Sequence, residues 1–107
     1  MRKIEYAPDA LEKIGAIYRY ISEELQNPGG ASNTVGFIRE KVRALRTSPQ
    51  MGRLLVMRFD GVPERFMHVR YYIFGDYIAI YEADESVVRV LRIFHGKQDY
   101  VQHLFRD

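Results

Sequence analysis

The sequence predicts an α+β domain in which an N-terminal strand and an antiparallel helical hairpin precede an antiparallel β-sheet. The element order is β-α-α-β-β-β, with a short C-terminal helix or tail. Three observations predict it. Apolar residues recur at intervals of three and four in two stretches, divided by Asn27-Pro28-Gly29-Gly30. Three runs rich in β-branched and aromatic residues follow, divided by Gly75-Asp76 and Asp84-Glu85-Ser86. Those connections are too short for parallel crossovers, so the three strands pair antiparallel.

Taken in order, Arg2 to Tyr6 reads as a short strand, with Ile4 and Tyr6 alternating against Lys3 and Glu5. Pro8 stops it and suits the first turn of a helix, where its missing N–H is no loss. Asp9 and Glu12 then place negative charge where the helix dipole favours it. Leu11, Ile14, Tyr18, Ile21 and Leu25, widened by Ile17, form the expected apolar stripe of a helix that runs to about Leu25. The second helix carries Val35, Ile38, Val42 and Leu45 on one face and ends at Ser48-Pro49. Residues 49 to 64 have no clear period and read as a long connection with a short strand near Leu54–Arg58.

The expected sheet strands are Arg65 to Phe74, Tyr77 to Ala83 and Val87 to Phe94. The last is so rich in aliphatic residues that both of its faces must be partly buried. It delivers a polar cluster, His95, Lys97, Gln98, Asp99 and Tyr100, beyond which Asp99 to Phe105 reads as a short helix. Val101, Leu104 and Phe105 there suit a return onto the sheet.

Size and composition narrow the function. The chain has 107 residues, one domain spanning 1–107, with 47% hydrophobic and 28% charged residues. It has no cysteine, so neither a disulfide framework nor a thiolate metal site is available. No apolar run suggests a signal peptide or a membrane span, so a cytoplasmic protein with no membrane contact is expected. The net charge of +2 is unevenly placed: residues 73–88 hold four acids and no Lys or Arg. No basic run is dense enough to name a nucleic-acid site.

The chemistry-bearing residues are few. The histidines lack the spacing of a metal pair, so no metal site and no cofactor are expected. His95 either anchors the strand end by a hydrogen bond or serves as a general acid or base. Arg70 and Arg92 sit inside predicted strands, where a guanidinium must reach solvent, find an acid, or serve a site. They either grip a phosphate or acidic partner or pair with the acids of residues 76–85. Arg53, Arg58 and Arg65 lie in or beside the long connection. There is no phosphate-binding glycine loop and no placed serine or cysteine nucleophile.

The opening YAPDALEKIGAIYRYI, the helix terminus SPQMGR, the hairpin FGDYIAIYEADESVVRVLRIFHGKQDY and the closing LF together resemble the RelE/ParE superfamily of bacterial type II toxins, on its ParE-like branch. The resemblance implies a growth-inhibiting toxin, of the kind that stabilises plasmids, encoded beside a cognate antitoxin that neutralises it. Operator DNA would be met only through the antitoxin.

RelE-like members cleave mRNA in the ribosomal A site, which requires cations around the attacked phosphate and proton transfer. The arginines that RelE uses fall, by the resemblance, on Ile78 and Gln98 here, and neither can neutralise phosphate. His95, Lys97, Tyr100 and Arg70 are then the residues left for such chemistry. ParE-like members instead poison DNA gyrase. The expectation is a gyrase inhibitor rather than an enzyme. A ribosome-dependent endoribonuclease is the alternative, and a non-toxic antitoxin-binding module the third reading. The residues expected to meet target or antitoxin are Arg53, Arg58, Arg65, Arg70, Arg92, His95, Lys97 and Gln98.

Overall fold

The structure, a computed structural model, describes residues 1–96. The expected C-terminal helix or tail, with Val101, Leu104 and Phe105, lies outside the described residues. The described chain runs β1 (Lys3–Tyr6), α1 (Pro8–Arg19, continued by a π turn Tyr20–Glu24), α2 (Pro28–Arg43, tightened into a 3-10 turn Ala44–Arg46), β2 (Arg53–Leu54), 3-10 turns at Leu55–Met57 and Glu64–Phe66, β3 (Arg70–Phe74), β4 (Tyr77–Ala83) and β5 (Val87–His95).

Two helices pack on one face of a five-stranded sheet of order β1-β5-β4-β3-β2, so the α+β class holds. The sheet is mixed rather than purely antiparallel, because β1 pairs in parallel with β5. The helical hairpin and the β2–β4 meander separate these two strands in sequence, so no turn chemistry announces their pairing. The register puts Tyr6 opposite Val90, and the Ala7 N–H closes the ladder on the Val90 carbonyl at 2.8 Å.

The core line of α1 is Ala10, Ile14 and Ile17, with Ile21 packed beside it. Leu11, Tyr18 and Leu25 of the expected stripe are instead exposed. Ile14, Ile17 and Ile21 thus hold the expected line, and Ala10 takes the place of Leu11 at its start. α2 buries Ala31, Ile38, Val42 and Leu45 as its period suggests. It starts at Pro28, directly after Asn27, whose side-chain oxygen accepts the Gly30 N–H at 3.0 Å. The two glycines thus belong to the first helical turn. A Cβ on Gly30 would meet the Asn27 amide, so a larger residue there would have to shift the capping side chain.

The predicted strand from residue 65 shortens to Arg70–Phe74, and the strand near residue 54 to Arg53–Leu54. The connection between them folds as two tight turns. Its Leu55 and Val69, with Tyr71 and Ile80, form a buried cluster on the sheet face away from the helices. Phe59, Val62, Phe66, Ile78, Leu91 and Phe94 pack against that cluster. Both faces of the sheet are therefore covered, and adjacent Ile80 and Tyr81 are both fully buried.

A bulge makes this possible in β5. Ile80 pairs with Arg92 but Tyr81 with Val90, which leaves Leu91 extra. Val90 and Ile93, three residues apart, then both face the helices, which a regular strand forbids.

The β4–β5 turn is held by Asp84, whose Oδ1 accepts the N–H groups of Ser86 at 2.7 Å and Val87 at 2.8 Å. These two bonds hold its carboxyl below the ordinary value of 3.8. A depressed folded value contributes stability above the unfolded value, and the contribution is lost as pH falls through the folded one. Asp84→Asn is expected to flatten the acid limb of the Tm-against-pH curve. An acid limb identical to that of the unmodified protein would count against this role.

Candidate functional site

The residues singled out in the sequence do not converge on one place. Arg53 and Arg70 lie on paired strands, with Arg53 opposite Tyr71 and Leu54 opposite Arg70. Arg58 and Arg65 sit on the turns between those strands, each guanidinium over the ring that follows it, Phe59 at 5.7 Å and Phe66 at 4.7 Å. His95 and Arg92 lie on β5, two strands away from β3 and three from β2. At the usual strand spacing that separates the β2 and β5 backbones by about 14 Å. Lys97, Gln98 and Tyr100 lie outside the described residues.

Arg70 is tied into the fold. Its Nη1 donates to the Gly52 carbonyl at 2.7 Å. That carbonyl belongs to the turn SPQMGR, which Tyr81 also grips. The Tyr81 hydroxyl donates to the Pro49 carbonyl at 2.5 Å and accepts the Gly52 N–H at 2.9 Å. Burial raises the Tyr81 phenol above its ordinary value, with partial opposition from the Gly52 bond and Arg70, so it stays a donor at neutral pH. Gly52 is required sterically, since a Cβ would stand 2.6 Å from the Tyr71 carbonyl oxygen. The SPQMGR step is thus a structural lock that fixes β2 beside β3.

Arg92 pairs with Asp9 at the start of α1, Nη2 to Oδ2 at 3.2 Å, and not with the acids of residues 76–85. The arginine that meets that acidic segment is Arg89. It bridges Glu82 on β4 and Glu5 on β1, each at 3.1 Å, and Glu82 also meets His68 at 2.7 Å. The hydrogen bonds to Glu5 and then Glu82 raise the Arg89 value further. No local pattern signals this four-member ladder as a whole, although the short β4–β5 turn places residue 82 opposite residue 89. Glu5 required knowledge of the parallel β1–β5 pairing.

His95 ends β5 exposed, with its ring stacked on Tyr77, centroids 4.8 Å apart and planes at 22°. Gly96 follows with φ +96°, and its N–H returns to the Asp76 carbonyl at 2.8 Å. That φ favours glycine and turns the chain out of the strand. Ile78, at the place where the resemblance puts a RelE arginine, packs against the buried cluster of Leu55, Val69, Tyr71 and Ile80.

Cations remain on the β2–β3 side. Among the described residues no ion pair engages Arg53, Arg58 or Arg65, and all three are exposed. Among the described residues no group of three His, Cys, Asp or Glu side chains could hold a metal ion, and no helix is long and apolar enough to cross a membrane.

This architecture and the strand-end sequence meet in one comparison. The family model described as ParE toxin of type II toxin-antitoxin system, parDE, matches residues 4–100. The chain belongs to the ParE toxin family. It is thereby a member of the type II toxin–antitoxin toxins, and both sheet and hairpin fall within the match. Among solved structures, a chain of the chromosomal ParDE toxin–antitoxin system from P. aeruginosa is similar at 21% identity. The alignment covers 91% of this chain and 98% of that one, with a TM-score of 0.66. A chain of the RelBE2 toxin–antitoxin complex from Mycobacterium tuberculosis is similar at 13% identity, over 88% and 96% of the two chains, with a TM-score of 0.62. At these identities the two structures speak for a shared fold across ParE and RelE toxins. No curated protein matches the sequence significantly.

Proposed function

We propose that this chain is a gyrase-directed toxin, neutralised by a cognate antitoxin, and not a ribosome-dependent ribonuclease. The observation that carries this reading is Ile78, apolar and packed into the covered sheet face where a RelE-type arginine would have to stand. Cleavage by 2′-OH attack develops charge on the phosphate, and a site without cations supplies little stabilisation for it. Of the arginines on β3 and β5, Arg70 is tied to Gly52, Arg89 to Glu5 and Glu82, and Arg92 to Asp9. The ParE family match supports the same branch.

The antitoxin is proposed from the family and from the two similar structures, one of a ParDE system and one of a toxin–antitoxin complex. Arg53, Arg58 and Arg65 suit an acidic segment of such a partner, because guanidinium groups bind carboxylates through paired hydrogen bonds. The setting that follows is growth inhibition in the bacterial cytoplasm.

The test is expression without antitoxin, scored together for growth, DNA damage and message integrity. Growth arrest with DNA breaks, an SOS response and intact mRNA is expected, and the purified chain should inhibit gyrase supercoiling. Codon-phased mRNA cuts that require ribosomes, with supercoiling unaffected, would replace the reading by the ribonuclease one. Normal growth would leave a non-toxic antitoxin-binding module.

A further inference from the structure

The first helix does not end as it begins. After Arg19 its bonding passes to the i→i+5 pattern, with the Leu25 N–H donating to the Tyr20 carbonyl at 3.1 Å. In an uninterrupted α-helix Tyr20 and Leu25 would point about 140° apart around the axis. The wider turn brings them to one side, a local departure that is rare in helices. Its result is an open groove of about 340 Å³. Tyr20, Ile21 and Leu25 line it from the helix together with Ala16, Ile17 and the charged Lys13, and Tyr77 and His95 from the sheet. Tyr20 is 57% and Leu25 56% exposed, a large apolar surface to leave in water.

The chain itself brings an occupant to this place. It leaves β5 at His95, a lining residue, and Gly96 turns it out of the strand. Eleven residues follow in the sequence, KQDYVQHLFRD. Their apolar members Val101, Leu104 and Phe105 are spaced by three and one, a spacing that would share one side of a helical turn. Val101 lies six steps along the chain from His95, a reach of up to about 20 Å, ample for a return to a groove that His95 borders.

We propose that this groove is a docking site for the chain's own segment Val101–Phe105, with Val101, Leu104 and Phe105 seated against Tyr20, Ile21 and Leu25. The π turn builds the receptor, and the β5 exit supplies the ligand at high effective concentration. The inference does not depend on which target the toxin attacks.

The absence of cysteine makes the test clean. Two full-length variants pair a groove position with a segment position: Leu25→Cys with Leu104→Cys, and Tyr20→Cys with Phe105→Cys. Mild oxidation in dilute solution is expected to consume the free thiols of at least one pair and to leave a monomer of raised electrophoretic mobility. The pair Met57→Cys with Leu104→Cys, whose first member sits 79% exposed on the turn after β2, should keep its thiols. A second readout covers weakened docking by the substitutions themselves. Alkylation of Leu25→Cys alone should be several-fold slower than in the same chain carrying Phe105→Asp. Disulfide-linked dimers would assign the groove to a second copy and overturn the proposal. Free thiols in both pairs, with equal alkylation rates, would overturn it as well.

Discussion

Tyr81→Phe is expected to destabilise the fold by about 2 kcal/mol, because it removes one hydroxyl and leaves a buried N–H and a part-buried carbonyl without their partner. Tyr81 is fully buried, and its hydroxyl joins the Pro49 carbonyl to the Gly52 N–H across the SPQMGR turn. Phenylalanine fills the ring site but offers neither bond. Gly52→Ala attacks the same lock from the other side. Its Cβ would meet the Tyr71 carbonyl oxygen at 2.6 Å and the Tyr81 hydroxyl at 2.7 Å, so backbone must move, at a cost of about 1–3 kcal/mol. Urea unfolding should show both variants with a lowered midpoint and an unchanged slope. Because both act on one turn, the double variant should cost less than the sum of the two. A midpoint for Tyr81→Phe equal to that of the parent would dismiss the lock.

Ile78→Arg is expected to lower stability by about 2 kcal/mol and to create no mRNA cleavage. The substitution restores the charge that a RelE-like toxin uses at that place, but it puts the charge against Leu55, Val69, Tyr71 and Ile80. The guanidinium must reach solvent past the loop that covers this face, and the apolar contacts of Ile78 are lost on the way. A ribonuclease site needs more than one cation. Arg70 stays bound to the Gly52 carbonyl whatever occupies position 78. Translation extracts supplemented with the variant should therefore show intact message, while thermal unfolding shows the loss. Codon-phased cleavage gained by this single change would mean that the sheet face is a ribonuclease site lacking one residue.

Much of the candidate site could be read from the chain, but not its grouping. Arg53, Arg58 and Arg65 were recognisable as cations beside a long connection, since arginine next to glycine and proline rarely folds inward. That Arg70 serves a carbonyl and Arg92 an acid on α1 was not recognisable. Both partners are remote in sequence, Gly52 and Asp9. The π turn was equally hidden, because Tyr20 to Glu24 has the composition of an ordinary helix end. The exposed Leu25 then looked like a stripe residue, when it lines a groove.

Local pattern by itself determined the two helices, the β3–β5 meander and its turns, since period and turn chemistry act between residues a few positions apart. The position given to Ile78 rests on the family resemblance and not on period or turn chemistry. Only the tertiary structure decided that β1 lies parallel to β5, that the Leu55–Val69 segment covers the second face of the sheet, and that a bulge at Leu91 lets β5 serve both faces. The physical reason is common to all three. Each is a pairing between segments distant in the chain, chosen by which apolar surface remains uncovered once the local elements have formed, and no short window of sequence contains both partners.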